Sequence, residues 1–197
     1  MRIKLLISLV IIYFLNLTNL YATDPEIFVQ STVNRASKVL TEEITLEKKM
    51  IELQNIAKDT VDIRGIGFYT LGSIRKTLND EIKNEYLDLF EKFFLKSFSS
   101  RLAEYTNPEI DVNGKEILNK NYTIVNSTLK GTNDRPEIKI DWRIYTKDKN
   151  KPLIRDLIIE GLSLARTQKE EFASILNSNN GDINFLFNTL KEFSKIN

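Results

Sequence analysis

The chain contains no cysteine and no histidine among its 197 residues. The first absence excludes disulfides, so a domain of this length has to be held together by its core alone. The second removes the commonest general base and metal ligand near neutral pH. Glycine and proline are scarce, at 7 and 4 residues, and no repeat, low-complexity tract or long linker divides the sequence. An excess of one charge is missing too, with 28 basic residues against 27 acidic ones. This balance, without any long basic run, argues against nucleic acid as a partner, because phosphate binding needs a basic face that releases counterions.

What is present begins with Met1-Arg2-Ile3-Lys4, two positive charges ahead of an apolar stretch from Leu5 to Leu15 interrupted only by Ser8. The stretch turns polar at Asn16, Thr18 and Asn19 and reaches Leu20-Tyr21-Ala22. That order is the charged region, apolar region and small-residue site of a secretory signal cleaved after Ala22. The run is shorter than the roughly 20 residues that span a hydrocarbon core, although extension through Leu20 leaves an uncleaved anchor open. Cleavage leaves one domain over residues 23–197 and removes Arg2 and Lys4, so 26 basic residues face 27 acidic ones.

Within that domain, apolar spacing predicts helices over Pro25 to about Glu43 and Leu46 to Lys58. Asp62 can cap a short third helix reaching Leu71, in which Gly65, Gly67 and Gly72 mark places where another backbone or a ligand comes close. The strongest pattern runs from Asp80 to Tyr105. Asn79 can cap it, and Ile82, Tyr86, Leu89, Phe90, Phe93, Phe94, Phe98 and Leu102 trace one face, stopping before Asn107-Pro108. Alternation then predicts strands at Glu109–Val112, Tyr122–Leu129, Ile138–Tyr145 and Leu153–Ile159, with turns at Asn113-Gly114, Asn133-Asp134 and Asp148-Lys149-Asn150. Helices return over Leu164 to Asn177 and Asp182 to Phe193, separated by a left-handed Gly181 and a capping Asp182. Helices, then about four strands in an antiparallel meander, then helices make an α+β fold.

No catalytic set emerges from these residues. Gly161-Leu162-Ser163-Leu164-Ala165 looks like a nucleophile elbow, but Ala165 stands at the second glycine position and no histidine can take the serine proton. Gly65 and Gly67 begin a dinucleotide fingerprint that Thr70 breaks. The acidic pairs Glu42-Glu43 and Glu170-Glu171 read as solvated helix surface, which leaves metal ligation without a donor set. Asp156 and Glu160 flank the last strand but stand about 13 Å apart on it, too far to share a proton. The expectation is a protein that is not an enzyme and carries no cofactor.

The surplus is aromatic: 11 Phe, 7 Tyr and one Trp. Phe90, Phe93, Phe94 and Phe98 can pack fully on a sheet face made by Ile140, Trp142 and Ile144. Alternatively, helix and sheet leave a dry slot for an aliphatic ligand. Pattern alone does not separate these readings.

Asp156-Leu157-Ile158-Ile159-Glu160-Gly161-Leu162-Ser163-Leu164, followed by Phe172-Ala173-Ser174-Ile175-Leu176, resembles the strand-to-helix signature of the MlaC family, the toluene-tolerance or ABC-transporter auxiliary proteins. Asp62 through Leu71-Gly72, then Phe90 and Phe93 to Leu95, follow in the family's order. Ile74 and Pro152-Leu153 depart from it, where members often carry an aromatic and a Gly-Trp. The resemblance implies a monomeric periplasmic phospholipid carrier that moves lipid between an inner-membrane ABC transporter bearing an MCE domain and an outer-membrane lipoprotein complex, so contributing to outer-membrane lipid asymmetry. It also implies a curved antiparallel sheet with helices packed over it, related to the NTF2-like shape. Acyl chains are then expected among Phe68, Leu71, Phe90, Phe93, Phe94, Trp142, Ile144, Leu157, Ile159 and Phe172. Arg75, Lys76, Arg101 and Arg143 are candidates for a phosphate head group or an acidic partner surface, or are solvated side chains. The rival reading is a periplasmic adaptor with a closed core that works through its surface, and a carboxylate-dependent enzyme is a third.

Overall fold

The computed structural model describes residues 23–132 and 135–195; the expected signal and the Asn133-Asp134 turn lie outside the described residues. Among the described residues, six α-helices and one five-stranded sheet follow in the order helices, strands, helices. Helix α1 spans Pro25–Thr41, α2 Leu46–Thr60 and α3 Ile63–Thr70. A 3-10 turn at Ile74–Lys76 leads into α4, Asp80–Ala103. Strands β1 (Ile110–Asn119), β2 (Tyr122–Leu129), β3 (Ile138–Tyr145), β4 (Leu153–Ile159) and β5 (Leu162–Ser163) precede α5, Leu164–Ser178, and α6, Ile183–Lys195. Among the described residues, no helix is long and apolar enough to cross a membrane.

The helix starts come from side chains that satisfy otherwise unpaired amides. Asp24 caps α1 by accepting from the Glu26 amide, Asp62 caps α3 through Gly65, and Asn79 caps α4 through Ile82. Asp24 also pairs with Lys115 of β1, and that hydrogen bond holds its carboxyl below the usual carboxylate range. Gly181 takes the expected left-handed conformation, with φ of 79°, and Asp182 then accepts from the Asn184 amide.

The sheet is an antiparallel meander in the order β1-β2-β3-β4-β5. Two expectations need correction. Asn113-Gly114 is not a turn: β1 continues through it, with a bulge between Val112 and Gly114, and Asn113 Nδ2 donates across to Thr128 Oγ1 at 3.2 Å. The chain reverses later, between the partners Asn119 and Tyr122. A fifth strand also forms, because Glu160 and Gly161 both take positive φ, 49° and 82°, and fold Leu162 back onto Ile159 in a two-residue hairpin.

On β3 the buried set is Ile140, Trp142 and Ile144, as alternation predicts, and Val125 of β2 and Leu157 of β4 are the cross-strand partners of Trp142. Val29 and Val33 of α1, Tyr86 and Phe90 of α4, Phe172 of α5 and Leu186 and Leu190 of α6 join the same core. At the free edge of β4, Val61 pairs with Ile154 and sends the chain into α3. Gly67 of α3 is where that helix meets α4: a Cβ there would lie 2.9 Å from Leu87 Cδ2 and 2.9 Å from Phe90 Cδ1. The expected close approach at this glycine is therefore one helix pressed on another.

Candidate functional site

Nine of the ten residues expected to meet acyl chains gather in or against one apolar core, and only Ile159, beside β5, stands apart from it. Leu71, Phe90, Trp142, Ile144 and Phe172 are buried, while Phe68, Phe93, Phe94 and Leu157 are half-buried against them. The rings touch one another. Phe172 stands edge-on to Phe90 at 6.3 Å and 88°, Phe93 lies 5.8 Å from Phe172 and 4.8 Å from Phe193 of α6, and Phe94 stacks on Phe98 at 5.7 Å and 9°. The side chains expected to line a slot pack against one another, with Ile144 fully buried and Phe90 only 1% exposed.

Polar groups inside this layer are few and paired. Trp142 Nε1 donates to Ser127 Oγ at 2.8 Å, and that hydroxyl donates to the Ile140 carbonyl at 3.0 Å. Thr70 Oγ1 and Tyr86 Oη lie 2.9 Å apart. Burial pushes the Tyr86 hydroxyl well above its ordinary pKa, against the smaller opposing effect of Thr70.

A cleft of about 360 Å³ opens beside this core, between α3, the β1–β2 tip and β4. Its lining includes Ile66, Tyr69, Leu118, Tyr122, Arg143, Arg155 and Asp156. Arg155 is the unpaired residue of a bulge in β4, opposite the step from Arg143 to Ile144, and the bulge lets it share the cleft with its neighbour Asp156. Its Nε donates to Asp62 Oδ2 at 2.7 Å, its Nη1 donates to Tyr122 Oη at 2.8 Å, and its guanidinium sits 3.9 Å from the centre of the Tyr145 ring. Burial is the largest single influence on Arg155 and works against its charge, but the hydrogen bonds and charges of Asp62 and Tyr122 together outweigh it and raise the pKa.

Asp156 is 4% exposed and fully engaged. It accepts from Ser163 Oγ at 2.6 Å and from the Ala165 amide at 3.0 Å, with Arg143 Nη1 at 3.6 Å. Ser163 in turn caps α5 by accepting from the Arg166 amide at 3.1 Å. The strand-to-helix signature is thus a cap: a buried carboxylate on the positive end of a helix. Glu160 is exposed and accepts instead from the Lys139 amide at 2.5 Å, so the two carboxylates do not converge. Ser163, the would-be nucleophile, is occupied by Asp156 and by its own helix.

The four candidate cations separate. Arg143 lies in the cleft. Arg75 and Lys76 border a second, shallower groove with Phe68, Asp80 and Lys83, and Arg75 Nη1 donates to the Phe68 carbonyl at 3.1 Å. Arg101 is exposed in the last turn of α4. Sequence reasoning missed Arg155 and its tyrosine partners. The one available signal was a cation inside the otherwise apolar run Leu153-Ile154-Arg155. Among the described residues, no group of three or more Asp or Glu gathers closely enough to hold a metal ion.

A family model described as MlaC protein matches residues 30–192. Among solved structures, a phospholipid-binding protein from Ralstonia solanacearum, in complex with a phospholipid, is similar to this chain with a TM-score of 0.74 and 19% identity. The match covers 87% of this chain and 97% of that one, and at that identity it speaks for a shared fold. No curated protein matches.

Proposed function

Because the chain belongs to the MlaC protein family, we propose that it is a phospholipid carrier that performs no covalent chemistry and takes acyl chains into the layer between α4 and its neighbours. The observation that carries this reading is the composition of that layer. Aromatic and aliphatic side chains from α3, α4, α5, α6 and the sheet meet there without a charged group at their centre. A protein of similar fold whose structure was solved in complex with a phospholipid supports it.

The energetics suit the task. Each methylene taken from water gains about 0.8 kcal/mol, so one ordinary acyl chain gains roughly 10 kcal/mol before ordering costs. The rings of the layer contact one another, and cargo would replace those contacts as it enters. Phe93, Phe94 and Phe98, half-buried along α4, form the side of the layer nearest water. On this reading loading begins by parting them.

The finer proposals rest on the sequence of residues 1–22 and on the family resemblance. Residues 1–22 direct export and are cleaved after Ala22, which places a freely diffusing monomer in the periplasm. There it exchanges lipid with an inner-membrane MCE-type ABC transporter and an outer-membrane complex. Cleavage matters because a retained anchor would hold the carrier at one membrane.

The test is to purify the exported protein gently, extract it with organic solvent and identify bound lipid by mass spectrometry. Phospholipid is expected in stoichiometric amount. Protein that emerges lipid-free and takes up none from vesicles would leave the adaptor reading, which the closed packing of Phe90, Ile144 and Phe172 favours.

A further inference from the structure

We propose that the cleft between α3, the β1–β2 tip and β4 holds the phosphodiester of the cargo, and that Arg143 is the residue that donates to it. This rests on the carrier reading and adds the head-group contact.

The two arginines of the cleft differ in how much of their donor capacity is used. Arg155 is committed to Asp62, Tyr122 and Tyr145, so it is wall. Arg143 makes only the 3.6 Å approach to Asp156, outside hydrogen-bond range, and its side chain is 38% exposed. Asp156 is its ion-pair partner at 3.6 Å but takes none of its N–H groups, because both carboxylate oxygens accept from Ser163 and the first turn of α5. A guanidinium with unspent donors is the group best shaped to take two oxygens of a phosphate.

The rest of the cleft fits an amphiphile better than a free ion. Its rim carries Leu118 and Tyr69, 45% and 41% exposed, apolar surface that a bare phosphate has no use for. Lys169 Nζ sits 5.1 Å from the centre of the Tyr69 ring and adds a second cation at that rim. Ile66 and Ala165 line the cleft and also belong to the apolar core. Gly67, next to Ile66, abuts Phe90. α3 and the first turn of α5 therefore lie between the cleft and the aromatic layer, and a lipid with its phosphate on Arg143 would have its chains directed past them.

The experiment compares uptake of a phospholipid with that of a diacylglycerol of identical chains, offered together in phosphatidylcholine-free vesicles to the protein expressed from residues 1–197. The two lipids differ by the phosphate-bearing head group. The wild-type protein should favour the phospholipid by roughly tenfold, Arg143→Gln should lose that preference, and Arg143→Lys should keep part of it. If the Gln variant fails to fold, the Lys variant carries the comparison. An unchanged preference in both variants would overturn the assignment and leave the carrier reading intact, whereas a wild-type protein that takes up neither lipid would overturn both. Titration with inorganic phosphate, followed by NMR at Tyr122 and Ala165, separates the sources. Tight phosphate binding that lipid does not displace makes this a free-phosphate site and overturns the lipid assignment.

Discussion

Ser163 donates its hydroxyl to Asp156 at 2.6 Å, and this buried bond ties the last long strand to the helix that follows it. Truncation by Asp156→Ala leaves the Ser163 hydroxyl and the Ala165 amide without their acceptor in a site that water hardly reaches. The expected cost is about 2–4 kcal/mol. Asp156→Asn keeps one acceptor for Ala165 and should cost less. Urea unfolding of the two variants checks the order; equal losses would mean that the carboxylate is not what holds α5.

Arg155 joins the start of α3, through Asp62, to Tyr122 and Tyr145 on the sheet. Arg155→Lys preserves the charge but cannot donate to Asp62 and Tyr122 from one planar fork while stacking on a ring. It should therefore destabilise the protein by about 1–2 kcal/mol, nearly as much as Arg155→Met. Hydrogen exchange should quicken first in α3, around Gly65 and Ile66. A Lys variant as stable as wild type would show that charge alone, not the fork, secures this corner.

Tyr86 supplies a pH dependence whose sign follows from its burial. An unfolded tyrosine ionises near pH 10, whereas the buried hydroxyl of the folded chain holds its proton to higher pH. Above about pH 10 the unfolded state therefore binds fewer protons than the folded one, and stability falls as pH rises, by at most about 1.4 kcal/mol per pH unit from this group. Tyr86→Phe should cost about 1 kcal/mol at pH 7 through the lost bond to Thr70. It should also flatten the decline at high pH. Unfolding curves of both proteins between pH 8 and 11 test this, and parallel curves would remove Tyr86 as the cause.

These features were not equally legible in the sequence. The start of α4 could be read because Asn79 and the spacing from Ile82 to Phe98 are local signals. The length of β1 could not: Asn113-Gly114 is a turn signal used as a bulge, and beyond it Lys115, Glu116, Ile117 and Leu118 are all exposed, so no alternation marks the strand. The aromatic row was visible by its period, but whether it leaves a gap depends on volumes brought from elsewhere, such as Phe193 against Phe93. Arg155 was hidden for a different reason. Its direction is set by a register shift between two strands, and a single strand's pattern does not contain that information.

Phe90 and Phe94 lie one helical turn apart, with ring centres at 6.1 Å, yet one is buried and the other half-buried. Substitution should split stability from lipid uptake along that difference. Phe90→Ala removes a ring from the closed core and should cost about 3–5 kcal/mol, enough to unfold a marginal domain before any ligand effect can be read. Phe94→Asp places its charge where water already reaches, so the fold should survive with a smaller loss. An acyl chain entering beside α4 would have to desolvate that carboxylate, at a cost of several kcal/mol. Lipid recovered with the Phe94→Asp protein should therefore drop steeply, while its circular dichroism stays native. Undiminished lipid on a folded Phe94→Asp variant would place the acyl chains elsewhere in the fold.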